Sequence, residues 1–218
     1  MTYQEASDFF DLLIDKANAS PFDADQVERF FTLAINEAAT DWFELAEKSE
    51  EYRNLLSGIL RTYTIPPSTS VVNTTAVGAS VSGEYWQTVG MSMTFTVTYG
   101  SGTTSITRAV TLCKPEELFS RRQDTLRKDT PYAPFYVEST TGSGLVLSVY
   151  SGGVANTDGS LLFYKIPNSA NSGAPSDPLT DLDASTHQRI VYRAARMALE
   201  SVGDPRYNTF INEYKLNQ

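Results

Sequence analysis

Between Asp23 and Lys48, apolar side chains return every three or four residues: Val27, Phe30, Phe31, Ala34, Ile35, Ala38, Trp42 and Leu45. Glu28, Asn36, Glu37 and Asp41 fall between them, which is the pattern of an amphipathic helix with one wide apolar stripe. Asp23, with Gln26 three residues on, is a capping-box pair and marks the start. At 1.5 Å per residue such a helix runs about 35–40 Å. A stripe that carries two phenylalanines and a tryptophan has to bury itself against other elements, and the helices at the two chain ends are the candidates.

Thr2 and Glu5 form a second capping-box pair and open a short helix to about Asn18, with Phe9, Leu13 and Ala17 beside Phe10 and Ile14. Ser20-Pro21 separates it from the long helix. A third helical pattern restarts at Ser49, with Tyr52, Leu55, Leu56, Ile59 and Leu60 at helical spacing; Gly58 weakens it and Ile65-Pro66-Pro67 ends it. From Ser68 to Leu112 the chain turns rich in Thr, Ser, Val and Gly. Val89, Met91, Met93, Phe95, Val97 and Tyr99 alternate with Gly90, Ser92, Thr94, Thr96 and Thr98, the period of a strand. Gly100-Ser101-Gly102 turns the chain, and Ile106, Arg108, Val110 and Leu112 alternate on the way back, which predicts a β-hairpin.

Ser70–Val77 and Gly83–Gln87 are expected to add strands. Pro115-Glu116-Glu117-Leu118 reads as a helix start, with proline in the first turn and carboxylates at the positive end of the dipole. Short strands are expected at Phe135–Glu138, Gly144–Tyr150 and Ser160–Ile166, with Asn156-Thr157-Asp158-Gly159 as the last turn. Pro167–Pro178 is a linker by composition. Ser185 or Asp183 caps a helix to Val202, striped with Ile190, Val191, Ala194, Ala195, Met197 and Ala198. Gly203 follows it, and Asp204-Pro205 starts a final helix faced by Phe210, Ile211, Tyr214 and Leu216.

These elements predict an α+β fold: a helical bundle formed by the N- and C-terminal helices, with an inserted antiparallel β module. Residues 1–65 supply the first helical part. Residues 66–166 form the mainly β insertion, with a short helix near 115–128. Residues 167–184 link it to the helices of 185–218, which return to the core.

The balance of 17 Lys and Arg against 26 Asp and Glu gives −9, which disfavours a clamp on nucleic acid. The single cysteine, Cys113, and the single histidine, His187, exclude an internal disulfide and a Cys/His zinc site built from one chain. No secretory signal and no apolar run of membrane-spanning length are present, so a soluble protein is expected. Cys113 near a helix start could become reactive, but a buried structural cysteine is the better expectation, and His187 is expected at the surface or in a cap. The Gly-x-Ser-x-Gly elbow, the phosphate loop and the dinucleotide fingerprint are all missing. Gly142-Ser143-Gly144 is a turn. Solvated helix faces account for Glu28, Glu37, Asp41, Glu44 and Glu47. No catalytic residue, cofactor or metal site is expected.

What remains is contact chemistry. Arg121, Arg122, Arg127 and Lys128 form the densest basic patch in an acidic chain. It is either a solvated loop or a docking patch for an acidic neighbour, another copy of the chain included. Tyr85, Trp86, Tyr132, Phe135 and Tyr136 lie near loops, and aromatics with arginine concentrate at interface cores.

The C-terminal string HQRIVYRAARMALESVGDPRYNTFINEYKLNQ and the N-terminal ASDFFDLLIDKAN and DQVERFFTLAINEAATDWFE resemble the head–tail connector proteins of tailed bacteriophages, in particular the adaptor or neck-ring proteins of short-tailed and crAss-like phages. The resemblance implies a structural virion protein: a homo-oligomeric ring, commonly dodecameric, in the tail or neck, assembled in the host cytoplasm. Such a ring docks on the portal protein or a neighbouring tail or neck ring and extends a channel through which DNA passes without specific binding, with no membrane involved. It has no catalytic role. Arg121, Arg122, Arg127, Lys128, Tyr132, Tyr207 and Tyr214 are the interface candidates. Two other classes stand beside it: a monomeric module holding a glycan or peptide on its β part, and a hydrolase using converging carboxylates or Cys113.

Overall fold

The computed structural model describes residues 1–14, 22–80, 83–124, 129–142, 144–169, 172–204 and 206. In chain order the elements are α1 (Tyr3–Leu13), α2 (Ala24–Ala46), α3 (Glu50–Leu55), β1 (Leu60–Ile65), β2 (Val71–Asn73), α4 (Thr74–Ser80), β3 (Tyr85–Tyr99) and β4 (Gly102–Ala109). There follow β5 (Thr111–Leu112), α5 (Leu118–Gln123), β6 (Phe135–Thr141), β7 (Gly144–Tyr150), β8 (Asn156–Lys165) and α6 (His187–Ser201). Among the described residues this is a mixed α+β chain of six α-helices and two sheets. It divides into two compact units, Met1–Ile59 with Pro167–Gln218, and Leu60–Ile166.

In the first unit both capping boxes close. Thr2 Oγ1 accepts from the Glu5 amide at 3.3 Å while Glu5 returns a carboxylate to the Thr2 amide, and Asp23 and Gln26 do the same at the head of α2. Phe10 and Phe31 are fully buried and meet edge to face at 5.6 Å; each buried ring contributes about 1.5–3 kcal/mol. Phe9 meets Tyr192 at 5.6 Å, so α1 touches α6 as well as α2. The alanine-rich face of α6 (Ala194, Ala195 and Ala198, all 0% exposed) permits close approach.

The described residues of Pro167–Pro178 hold no helix or strand, yet they are tied down: the amides of Tyr3 and Gln4 donate to the carbonyls of Asp177 and Pro175, and Glu28 accepts from the Ser172 amide at 2.9 Å.

The second unit is a sandwich of two four-stranded sheets, ordered β1-β8-β3-β4 and β2-β7-β6-β5. All neighbours are antiparallel except β5 and β6. Ile65, Met91, Met93, Phe95, Leu161 and Phe163 from one sheet close on Val72, Tyr136 and Leu147 from the other. Thr64, Ser160, Ser92, Thr94, Thr96 and Thr98 share the opposite face of the first sheet, where Thr94 pairs with Thr107 and Thr98 with Thr103.

Several expectations need correcting. The third helix stops at Leu55; Leu60 begins β1, because residues 60–65 find ladder partners on β8, from Tyr164 to Gly159. Ser70–Val77 is not one strand: Asn73 Oδ1 accepts from the Thr75 and Ala76 amides and starts α4 after only three strand residues. The hairpin is present, but a register shift between Thr88 and Gly90 turns Val89 outward, 45% exposed. The return strand ends at Ala109, and β5 crosses to the other sheet. Asn156–Gly159 is the start of β8, not a turn. Leu45, placed on the apolar stripe, is 38% exposed. The final helix from Asp204-Pro205 and the end of the first, past Ile14, lie outside the described residues.

Candidate interaction surface

Of the seven interface candidates, Arg127, Lys128, Tyr207 and Tyr214 lie outside the described residues. The other three make different contacts. Arg121 and Arg122 sit on α5, whose inner residue Leu118 packs on Cys113, Phe135 and Val137. Phe135 and Tyr150 stack at 5.1 Å, and the two guanidinium groups lie over that pair, Arg121 at 4.3 Å from the Phe135 ring and Arg122 at 5.7 Å from the Tyr150 ring. Arg121 also donates to Thr111 Oγ1, and its Nε is buried without a partner among the described residues. It is a fastener of α5 to the sheet. Arg122 is exposed and is the cation this helix offers to solvent.

Tyr132 makes its contact elsewhere, with Tyr99 at the hairpin tip: the rings lie 6.2 Å apart and the hydroxyls are hydrogen-bonded. Donating to Tyr99 holds the Tyr132 phenol above its ordinary value. Both rings remain more than 40% exposed.

Sequence reasoning missed Phe119. On α5 it is 73% exposed, three residues from Arg122 and therefore on the same side of the helix. Leu112, on the edge strand β5, is 52% exposed. The missed signal was the length of α5: six residues can bury one side, and Leu118 takes it. Conversely, Phe135 and Tyr136, read as contact aromatics, are 0% and 5% exposed and belong to the core. Tyr85 stacks on Phe163, and its burial pushes the phenol up to about 12. Glu138 is likewise raised by burial.

Three further groups were assigned from the sequence. Cys113 is fully buried, its Sγ directed at the Lys114 carbonyl. His187, expected at the surface or in a cap, is 4% exposed and is the first residue of α6. Its Nδ1 lies 3.2 Å from the Met1 carbonyl oxygen, which can only accept, so Nδ1 carries the proton; burial lowers the imidazole's affinity for a second one. Glu37 and Asp41, taken as solvated, hold Arg193 and Arg196: Arg193 Nη1 is 2.7 Å from Asp41 Oδ2 and 3.6 Å from Glu37 Oε1, and Arg196 Nη2 is 3.0 Å from Glu37 Oε1.

The β unit also contains a half-open cleft of about 250 Å³. Phe95, Met93 and Val149 line it together with Ser68, Ser70 and Asp129. Ser68 adopts φ +60°, a costly backbone for a non-glycine residue. Asn156 secures that loop: its Oδ1 accepts from the Thr69 amide at 2.7 Å and its Nδ2 donates to the Pro66 carbonyl at 3.0 Å.

Among the described residues no three His, Cys, Asp or Glu side chains are grouped to hold a metal, and no helix is long and apolar enough to cross a membrane. Compared with known proteins, the chain matches no family model and no curated sequence.

Proposed function

We propose that this protein is a structural subunit of a ring in a bacteriophage head–tail connector, with its helical unit as a bundle built from both chain ends and its β unit as an insertion between them. The observation that carries the reading is the surface of α5, where Phe119 is exposed and Arg122 lies over the Tyr150 ring, while Leu118 packs on buried Cys113. Aromatic and arginine side chains displayed together are contact chemistry. The resemblance of the terminal helices to connector proteins supplies the kind of assembly. The uncharged Thr and Ser face of β3 and β4 suits a surface past which DNA slides without adhering.

Mass measurement and electron microscopy of the purified chain, alone and with its portal protein, test this. Closed rings that stack on the portal are expected; a protein that stays monomeric at every concentration and binds no portal refutes it. Exchanging all four cations of residues 121–128 would confound the result, because Arg121 fastens α5. Arg122→Glu is the cleaner probe of docking. A second reading, a module that binds a glycan or peptide, is favoured by the cleft near Ser68. A glycan or peptide screen on the monomer, repeated on Asp129→Ala, decides it.

A further inference from the structure

We propose that the α5 surface of one subunit docks on the helical unit of a second copy of this chain, at the turn joining α2 to α3. The inference rests on the ring reading above and names the contact that builds the ring.

Charge is its first support. Residues 60–166 carry eight Lys and Arg against seven Asp and Glu, a net of +1. The rest of the chain carries nine against nineteen, a net of −10. The acidity of the protein therefore resides wholly in the helical unit. A contact between two helical units sets like charge against like. A contact between the β unit of one copy and the helical unit of the next sets neutral-to-basic against acidic, and such a head-to-tail arrangement is the kind that closes into rings.

The two faces also match in detail. On the β unit, Phe119 is an apolar projection with Arg122 beside it and exposed Lys114 just before the helix. On the helical unit, Glu44, Glu47, Glu50 and Glu51 are exposed, and Leu45, 38% exposed, lies among them. Lys48 is the one cation in that run. Each face thus has an apolar centre with charge around it: mixed on the α5 face, where Glu116 and Glu117 are exposed beside Lys114 and Arg122, and almost wholly acidic at the α2–α3 turn. Phe119 would anchor the contact and Arg122 would pair with the carboxylates, while Arg121 stays on Phe135 as it does within the subunit.

The test uses the full chain and a charge exchange. Sedimentation velocity and native mass spectrometry are run on the wild type, on Arg122→Glu with Lys114→Glu, on Glu44→Lys with Glu47→Lys and Glu51→Lys, and on Phe119→Ala. Each variant alone should associate at least tenfold more weakly, with unchanged circular dichroism and melting. Mixing the two charge-reversed chains in equal amounts should restore assembly, because every contact in an alternating ring then pairs opposite signs; a folding defect could not be repaired in this way. Wild-type rings with variants that assemble equally well overturn this contact and leave the ring reading standing. So does loss of assembly without recovery on mixing. A wild-type chain that never associates overturns both.

Discussion

Arg193 offers the sharpest test of how the helical unit is held, because its two sides respond unequally to mutation. Its side chain is 3% exposed, whereas its partners Asp41 and Glu37 are 50% and 36% exposed. The hydrogen bond to Asp41 joins residues 152 apart in sequence, one on α2 and one on α6. Removing the arginine head group with Arg193→Met keeps most of the stem packing and leaves two carboxylates that water can reach, so the loss should be about 1 kcal/mol, as for a partly exposed pair. Neutralising both acids with Glu37→Gln and Asp41→Asn takes both of these carboxylates from a buried guanidinium and removes the Glu37 partner of Arg196 as well. That is the expensive direction, about 3 kcal/mol. For a chain of this size these losses lower the melting temperature by roughly 2–4 °C and 6–12 °C. Urea titration followed by far-ultraviolet circular dichroism gives the free energies. The triple variant closes a cycle whose coupling term should exceed about 1 kcal/mol. If Arg193→Met proves as damaging as the double neutralisation, the pairing itself and not the cost of stranding a buried charge governs the site, and the reasoning fails.

Three other outcomes follow from the same geometry. Burial keeps His187 neutral, so below about pH 6.5 the unfolded chain takes up a proton that the folded chain refuses, and stability falls with acid; His187→Gln should flatten the melting temperature between pH 7.5 and 5.5. Glu28 and Asp183, held low by hydrogen bonds from Ser172 and Ser185, add stability that is lost only as the pH falls through their own depressed values, beneath that window. A Cβ at Gly58 would lie 1.9 Å from the Asp181 carbonyl oxygen, so Gly58→Ala should cost about 3 kcal/mol, while Gly90→Ala, with nothing within 4 Å, should cost under about 1 kcal/mol in parallel urea titrations. Asn156→Ala strands the Thr69 amide and the Pro66 carbonyl and should lose about 2 kcal/mol, with faster amide exchange at residues 68–70.

The sequence alone was enough where a signal is local. Capping pairs at Thr2 and Asp23 placed two helix starts, alternation placed the β3–β4 hairpin, and Gly203, at φ +67°, closes α6 as its position suggested. Each of these depends on contacts among residues three or four apart, or on strands joined by a two-residue turn, Gly100-Ser101, so the chain spells them out directly. Asn73 was legible too, as a cap for α4, had its side chain been weighed against the Thr- and Val-rich run after it.

Other features were decided by partners far along the chain. Leu60 continues a helical period, and only the ladder offered by β8, a hundred residues later, makes it strand. Arg193 and His187 look like surface residues on a helical wheel; α2 and the N-terminal segment bury them. Phe135 and Phe119 are both aromatics near loops, and sequence cannot say that one closes a core while the other faces solvent. Periodicity states which side of an element is apolar. Which element covers that side, and what is left uncovered for a neighbour, follows from packing of the whole unit, because burial is a property of the partners as much as of the residue.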